Sequence, residues 1–288
     1  MRRVVFRLEF DGSSFCGWQL QAGDQGVEPS PESEALNLPS IQGVIEKAIS
    51  VVLRRRDQRF SVRGCGRTDA GVHAEEYFAH VELPVADLPD ETALERFRHK
   101  MNGVLPAHIG ITDARFAVDD FHVLDDIVTK TYEYRLLLRR SKPVLLNGHC
   151  HWIALESFDE KSFNRAAIRA AMRDLEGEHD FKAFAAANAS AKTSVRKLVK
   201  CELVSEAMGE TPDTGELLSF RFEGDGFLKQ MVRNLVGTLI EIGQGRRSAA
   251  CIRELLGTDT GKVGRRLDAG FCAPPTGLFL VKVNYDRR

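Results

Sequence analysis

The spacing of apolar and polar positions changes several times along the chain, and each rhythm predicts an element. Val4, Phe6, Leu8 and Phe10 alternate with Val5, Arg7 and Glu9, the period of two expected of a strand, and Asp11-Gly12 signals the turn that ends it. FCGWQLQ (15–21) follows, where Trp18 reads as a packed corner in preference to a binding surface. The segment 22–39 is acidic and rich in Gly, Pro and Ser, the composition of a mobile surface loop. Ser40 is placed to cap a helix carrying Ile41, Val44, Ile45, Ala48 and Val52 on one face. Phe60 and Val62 suggest a short strand, and YFAHVEL (77–83) alternates again. Asp90 to Met101 is helical by the spacing of Leu94, Phe97 and Met101, with NGVLP (102–106) as its stop, and 109–118 is extended. KTYEYRLLL (130–138) is a strand with Tyr132, Tyr134, Leu136 and Leu138 on one face.

The second half mixes elements in the same way. An alanine-rich helix runs from about Asp159 to Leu175, and strands lie near 195–204 and 217–222. A long amphipathic helix begins near Phe227 and runs toward Ile242, with Met231, Leu235, Leu239 and Ile242 as its apolar stripe. A shorter helix near 248–256 and a last strand, GLFLVKVNY (277–285), complete the chain. Strands stand before and after helices without regular βαβα alternation, so the fold class is α+β with largely antiparallel sheets. The order of elements suggests two subdomains, 1–145 and 146–288.

Composition narrows the picture. A hydrophobic content of 43% across 288 residues supports a sizeable core, and a formal net charge of −1 gives no global positive field, so any nucleic-acid partner must show in local charge. The six cysteines are scattered, with no CxxC pair, and read as free thiols of a reducing, cytoplasmic compartment. No apolar run has the length of a signal segment or a membrane span.

Candidate chemistry concentrates at GRTDAGVHA (66–74), which follows neither a strand nor a helix period. As a chemical group the Asp69 carboxylate is a nucleophile, a general base, a metal ligand or a turn stabiliser. A metal site would want further acids, and only Glu75 and Glu76 stand near, at a strand start. A plain turn explains the acid but leaves Arg67 without a purpose. Arginine two residues from the acid is suited to hold a phosphate in a bidentate grip while the acid reaches a sugar or base. Six arginines between 54 and 67 strengthen that reading, although Arg54–Arg56 alone are a solvated turn. His73 reads as hydrogen-bonded structure.

GDGFLKQMVRNLVG (224–237) is a second candidate. Gly237 in mid-helix costs about 1 kcal/mol against alanine, which points to close approach of another element or a ligand. Arg233 lies off the apolar stripe, where a surface role is sufficient on pattern alone. A glycine-led helix start suits a phosphate, but the Lys-Ser/Thr of a P-loop is missing. His149 and His151 would share a face as alternate residues of a strand, but two ligands with no obvious third make a weak case for a metal site.

These residues carry a resemblance. GRTDAGVHA resembles the signature of the TruA family of tRNA pseudouridine synthases. FDGSSFCGWQLQ, MNGVLPAHIGI, FHVLDDIVTKTYEYRL, LEGEHDFKAF, VRKLV, FLKQMVRNLVGTLIEIGQG and APPTGLFLVKVNY look like further family segments, in order along nearly the whole chain. The resemblance implies the pseudouridine synthase fold, with two subdomains of joined, largely antiparallel sheets flanked by helices and a central catalytic cleft, in a homodimer. It implies isomerisation of uridine to pseudouridine at positions 38, 39 and 40 of the tRNA anticodon stem-loop, with no cofactor and no metal. Asp69 matches the family's essential aspartate and Arg67 the arginine that helps displace the base and hold the RNA. Tyr132 matches the tyrosine that packs on uracil and is implicated in proton removal, and Arg233 matches the basic partner of the aspartate. Two departures stand out: Leu124 replaces a usual arginine, and the acidic loop 22–39 is longer than the family's connection and is expected to lie away from the RNA. An RNA-binding protein without catalysis, or a glycosidase using Asp69, would be the rivals; the intact set argues against the first and the lack of a paired carboxylate against the second.

Overall fold

A computed structural model describes residues 1–19, 38–118, 120–155, 162–187, 191–209 and 214–286. In chain order its helices and strands are β1 (Arg2–Phe10), α1 (Ile41–Val52), β2 (Arg63–Gly64), β3 (His73–Leu83), α2 (Glu91–Val104), β4 (Ile109–Phe116), β5 (Ile127–Leu138), β6 (His151–Ile153), α3 (Arg165–Arg173), β7 (Gly177–Asp180), β8 (Val195–Ala207), β9 (Glu216–Gly224), α4 (Met231–Gly243), α5 (Cys251–Leu256) and β10 (Leu278–Tyr285). Contacts divide the chain into two units, Met1–Val128 with Leu280–Arg288, and Thr129–Phe279. The sequence division at 145/146 follows chain order; contacts place 129–145 with the second unit and return the C-terminal strand to the first.

In the first unit the strands run β4-β1-β3-β10, with β2 beside β3. The β1–β3, β1–β4 and β2–β3 pairs are antiparallel. β1 lies between two neighbours, so Val5 is buried along with Val4, Phe6, Leu8 and Phe10, and only Arg7 and Glu9 face solvent. Phe6 meets Phe97 of α2 with ring centroids 6.3 Å apart. β10 is tied to the unit by Val283 N–H donating to Glu76 (3.0 Å) and by the Tyr285 hydroxyl donating to the Val123 carbonyl (2.8 Å).

The helices begin where side chains satisfy their first N–H groups. Ser40 Oγ accepts from Gly43 N–H at 3.2 Å, as the sequence predicts. The buried face of α1 differs from prediction, however: Ile41, Ile45, Ala48 and Ile49 enter the core, while Val44 and Val52 are only half-buried. Glu46 is buried on that face because Val62 N–H, Gln42 and Arg59 all bond its carboxylate. Asp90 caps α2, whose Leu94, Phe97 and Met101 are buried as expected. α2 continues three residues past Met101, and Asn102 exchanges two hydrogen bonds with the backbone of Ile111 (2.8 and 2.9 Å), fixing the helix to β4.

In the second unit the order is β5-β9-β8-β7, antiparallel throughout, with β6 parallel to β5. The class is therefore α+β with a largely antiparallel, mixed arrangement of strands.

Several boundaries move. The short strand falls at 63–64, beyond buried Phe60 and Val62. α3 begins at Arg165, because Asn164 caps it by accepting from Ala167 N–H at 2.7 Å. α4 begins at Met231, because Gln230 takes a left-handed conformation (φ 60) that helical residues do not share. α5 begins at Cys251. β6 and β7 carry no alternation long enough to be read from sequence. The expected acidic loop lies almost wholly outside the described residues. None of the six cysteines forms a disulfide, and no helix among the described residues is long and apolar enough to cross a membrane.

Candidate active site

The 65–72 loop connects β2 to β3 and is held along its whole length. Cys65 N–H donates to the Phe78 carbonyl at 2.8 Å, and the buried Tyr77 hydroxyl donates to the Gly66 carbonyl. Trp18 stacks on Tyr77 with centroids 4.2 Å apart and is 3% exposed, so it is a packed corner as the sequence suggests. Its backbone N–H donates to the Thr68 carbonyl at 3.3 Å. Val72 N–H closes a turn onto the Asp69 carbonyl at 3.2 Å, with Gly71 at φ 77.

The N-terminal segment presses backbone against backbone on this turn. A Cβ at Gly17 would lie 2.4 Å from the Thr68 carbonyl oxygen, and Gly17 has φ 107; a Cβ at Gly12 would lie 2.0 Å from the Val72 carbonyl oxygen. Only glycine allows both approaches. FDGSSFCGW is thus a brace for the loop, a role the alternation pattern does not disclose. His73 is 1% exposed and its Nδ1 accepts from Gly12 N–H at 3.2 Å, so it belongs to the same brace. From this frame Arg67 projects exposed and Asp69 half-buried. Thr68 between them is 9% exposed.

The arginine-rich stretch before the loop is not one uniform surface. Arg55 pairs with Asp87 at 2.9 Å and Arg59 with Glu46 at 3.0 Å, whereas Arg54, Arg56, Arg63 and Arg67 are exposed.

The second unit carries Tyr132 and Arg233. Tyr132 stands in β5 opposite Phe222 of β9, half-buried, and Phe227 meets its ring edge-on at 4.9 Å between centroids. Two residues on, Tyr134 is fully buried and its hydroxyl donates to the Pro274 carbonyl at 3.0 Å. Burial raises the Tyr134 phenol well above its ordinary range, against the opposing charge of Arg233. Between the tyrosines, Glu133 is 5% exposed. Burial pushes its carboxyl up, but hydrogen bonds and charge from Arg135 (2.8 Å) and Arg221 (2.6 Å) outweigh that and hold it below the ordinary carboxylate value.

α4 is buried almost all round, not amphipathic as its stripe suggests; only Arg233 and Glu241 are half-exposed. The 270–274 segment lies along it. A Cβ at Gly237 would sit 1.7 Å from the Phe271 carbonyl oxygen, the close approach that this mid-helix glycine implies. Thr238 Oγ1 accepts from Gly270 N–H (2.9 Å) and donates to the Asn234 carbonyl (2.8 Å). Asn234, wholly buried, donates to the Phe184 carbonyl and accepts from Arg266, each at 2.7 Å. Ala273 N–H donates to the Arg233 carbonyl (3.1 Å), and Arg233 Nε donates back to the Ala273 carbonyl (2.7 Å). Arg233 is therefore oriented by a reciprocal clamp, and the next carbonyl, Pro274, receives Tyr134.

The phosphate reading of the GDG turn does not hold. Asp225 exchanges hydrogen bonds with the backbone of Lys197 (3.0 and 3.1 Å), and α4 starts five residues after Gly226. His151 begins β6 while His149 lies in the preceding turn, so the two are not strand neighbours. Leu124, where the resemblance leads one to expect arginine, is 49% exposed.

Known proteins place these features in a family. A family model described as tRNA pseudouridine synthase matches residues 171–286. Over 99% of this chain and 92% of its own length, the tRNA pseudouridine synthase A of Myxococcus xanthus is 37% identical. The proteins of the same name from Citrifermentans bemidjiense and Geobacter sp. (strain M21) are 35% and 34% identical, over 100% and 99% of this chain and 99% of their own lengths. With its braced GRTDAG loop and full-length likeness to these relatives, the chain belongs to the tRNA pseudouridine synthase A family, isomerases that convert uridine to pseudouridine in tRNA.

Proposed function

We propose that this protein isomerises uridine to pseudouridine at positions 38, 39 and 40 of the tRNA anticodon stem-loop, with Asp69 as the essential carboxylate. The observation that carries the reading is the 65–72 loop: a half-buried acid beside an exposed arginine on a turn immobilised by Gly12 and Gly17. Such rigidity serves a group that must meet one atom of a substrate.

The reaction breaks the N1–C1′ bond, turns uracil while it stays bound, and joins C5 to C1′. C5 loses a proton and N1 gains one, so atoms and electrons balance without a redox partner. Attack at C1′, attack at C6, and proton removal from C2′ all use one ionised carboxylate beside an extruded base. Arg233 is assigned as the basic partner of the catalytic carboxylate, the role that the family resemblance gives it. Its Nε donates to the Ala273 carbonyl at 2.7 Å, which fixes the orientation of the guanidinium. The Tyr132 ring, propped by Phe227, replaces lost stacking, worth roughly 1–3 kcal/mol per base. Its phenol, or a water beside it, takes the C5 proton. Arg67 grips phosphate and helps displace the base. The protein acts as a cytoplasmic homodimer and needs no metal or cofactor.

The test is carbodiimide mapping of an unmodified tRNA transcript after incubation with the purified protein. Pseudouridine at 38–40 is the expected result. Release of free uracil would indicate a glycosidase, and binding without product an RNA-binding protein.

A further inference from the structure

The first unit holds a pocket that the proposed chemistry does not use. It encloses about 360 Å³ and is lined by Arg3, Phe60, Arg63, His80, Glu82 and His122, with further polar groups from Gln58 and Ser61. Arg63 and His80 are direct cross-strand partners on β2 and β3, so their side chains leave the same face. The pocket's charges are mostly compensated: Arg3 bonds Glu82 at 2.6 Å and the Phe121 carbonyl at 2.6 Å, and Arg59 at its edge is paired with Glu46. Arg63 is the exception. It is exposed and meets no carboxylate among the described residues.

His80 is the second unusual group. It is 3% exposed, and its ring meets that of His122 edge-on at 4.7 Å. Nδ1 accepts from Val123 N–H at 3.5 Å, which leaves the proton of the neutral ring on Nε2. Burial, then the charges of Arg3, His122 and Arg63, lower its pKa to about 4, so the ring is neutral at physiological pH. No acceptor meets its Nε2 among the described residues, and the atom is not sealed from solvent, so the N–H stays open to a ligand that enters the pocket His80 lines. An uncompensated guanidinium beside a partnerless imidazole N–H is a donor set for an anion with several acceptor oxygens.

We infer that this pocket binds a backbone phosphate of the tRNA substrate, with Arg63 as its cation and the His80 Nε2–H as its neutral donor. The inference rests on the proposed function. β3 runs from His73, next to the Asp69 loop, to His80, a span on the order of 20 Å. The phosphate held here therefore lies several nucleotides from the target uridine, and the pocket positions the RNA without touching the reacting base.

The experiment measures tRNA affinity against salt for wild type, Arg63→Gln and Arg56→Gln, the last an exposed arginine of the same stretch outside the pocket. Arg63→Gln should weaken binding about fivefold and lower the slope of log affinity against log salt by about 0.7–0.9, the loss of one phosphate contact. Arg56→Gln should leave the slope within about a third of that change. The imidazole signals of His80 in an NMR spectrum should shift on adding a short anticodon stem-loop RNA to wild type, and not to Arg63→Gln. An unchanged slope for Arg63→Gln, in a protein that binds and modifies tRNA, overturns the pocket and leaves the enzyme reading standing. A His80 shift with inorganic phosphate but not with RNA makes this a free-anion site and overturns the RNA assignment. Failure of wild type to bind tRNA overturns both.

Discussion

Two regions hold the residues proposed for chemistry, and they are made rigid by opposite means. The Asp69 loop is held by backbone pressed on backbone, at Gly12 and Gly17, over the Trp18–Tyr77 ring pair. The start of α4 is held by buried polar side chains, with Asn234, Thr238 and Arg233 each bonded to carbonyls or N–H groups of neighbouring segments. A loop has no repeating hydrogen bonds, so it is positioned by excluding every conformation but one. A buried helix already has its backbone satisfied, so its side chains do the positioning. The two regions should therefore fail differently when altered.

The largest effect that separates them is expected at Arg233. Arg233→Met should lower turnover by roughly 10²–10³-fold, the scale of losing one preorganised electrostatic partner, with folded protein still binding tRNA. Arg233→Lys should recover only part of that, because lysine keeps the charge but cannot give Nε to Ala273 and terminal nitrogens to a carboxylate together. Single-turnover rates check this; full activity in the lysine variant would show that the clamp is unnecessary.

Smaller effects come from the glycines. Gly17→Ala should cost roughly 10–100-fold in turnover by displacing the loop. Gly237→Ala, whose new methyl would strike the Phe271 carbonyl, should cost about 1–3 kcal/mol of stability, with a smaller loss of turnover. Thermal unfolding and kinetics on the same preparations separate the two, and a reversed order would undo the contrast.

Acidification gives the smallest difference. The folded pKa of His80, about 4, lies below its ordinary 6.5. The unfolded chain therefore binds a proton that the folded one resists, and stability falls as pH drops through that window, by at most roughly 3 kcal/mol. Glu133 is also depressed, but as a carboxylate: its contribution is present above the ordinary carboxylate pKa and is lost only as pH falls below that toward its folded value. His80→Gln should flatten the dependence of Tm on pH between 6.5 and 4. Glu133→Gln should leave that slope and lower Tm at neutral pH.

The sequence discloses these regions unequally. Strands with clean alternation, such as β1 and β5, and capped helices, such as α1 and α2, are readable because local spacing and cap chemistry decide them. The ends of α3 and α4 are not, because Asn164 and the left-handed Gln230 act through backbone geometry that composition does not express. α4 reads as amphipathic from its stripe, yet the 270–274 segment covers the side that periodicity assigns to solvent. Asp69, Arg67, Tyr132 and Arg233 are found by motif and resemblance. Gly12, Gly17, Phe227 and Ala273, which hold or brace them, lie far away in sequence or carry no chemical signal. The return of β10 to the first unit is a long-range contact, and no local pattern announces it.

The most direct test is single-turnover pseudouridine mapping of an unmodified tRNA by wild type and Asp69→Asn, with enzyme in excess and tRNA binding measured in parallel. The account predicts pseudouridine at 38–40 with wild type, and none with the variant although it binds tRNA within about twofold of wild type. Product formation by Asp69→Asn at a rate near wild type would contradict it.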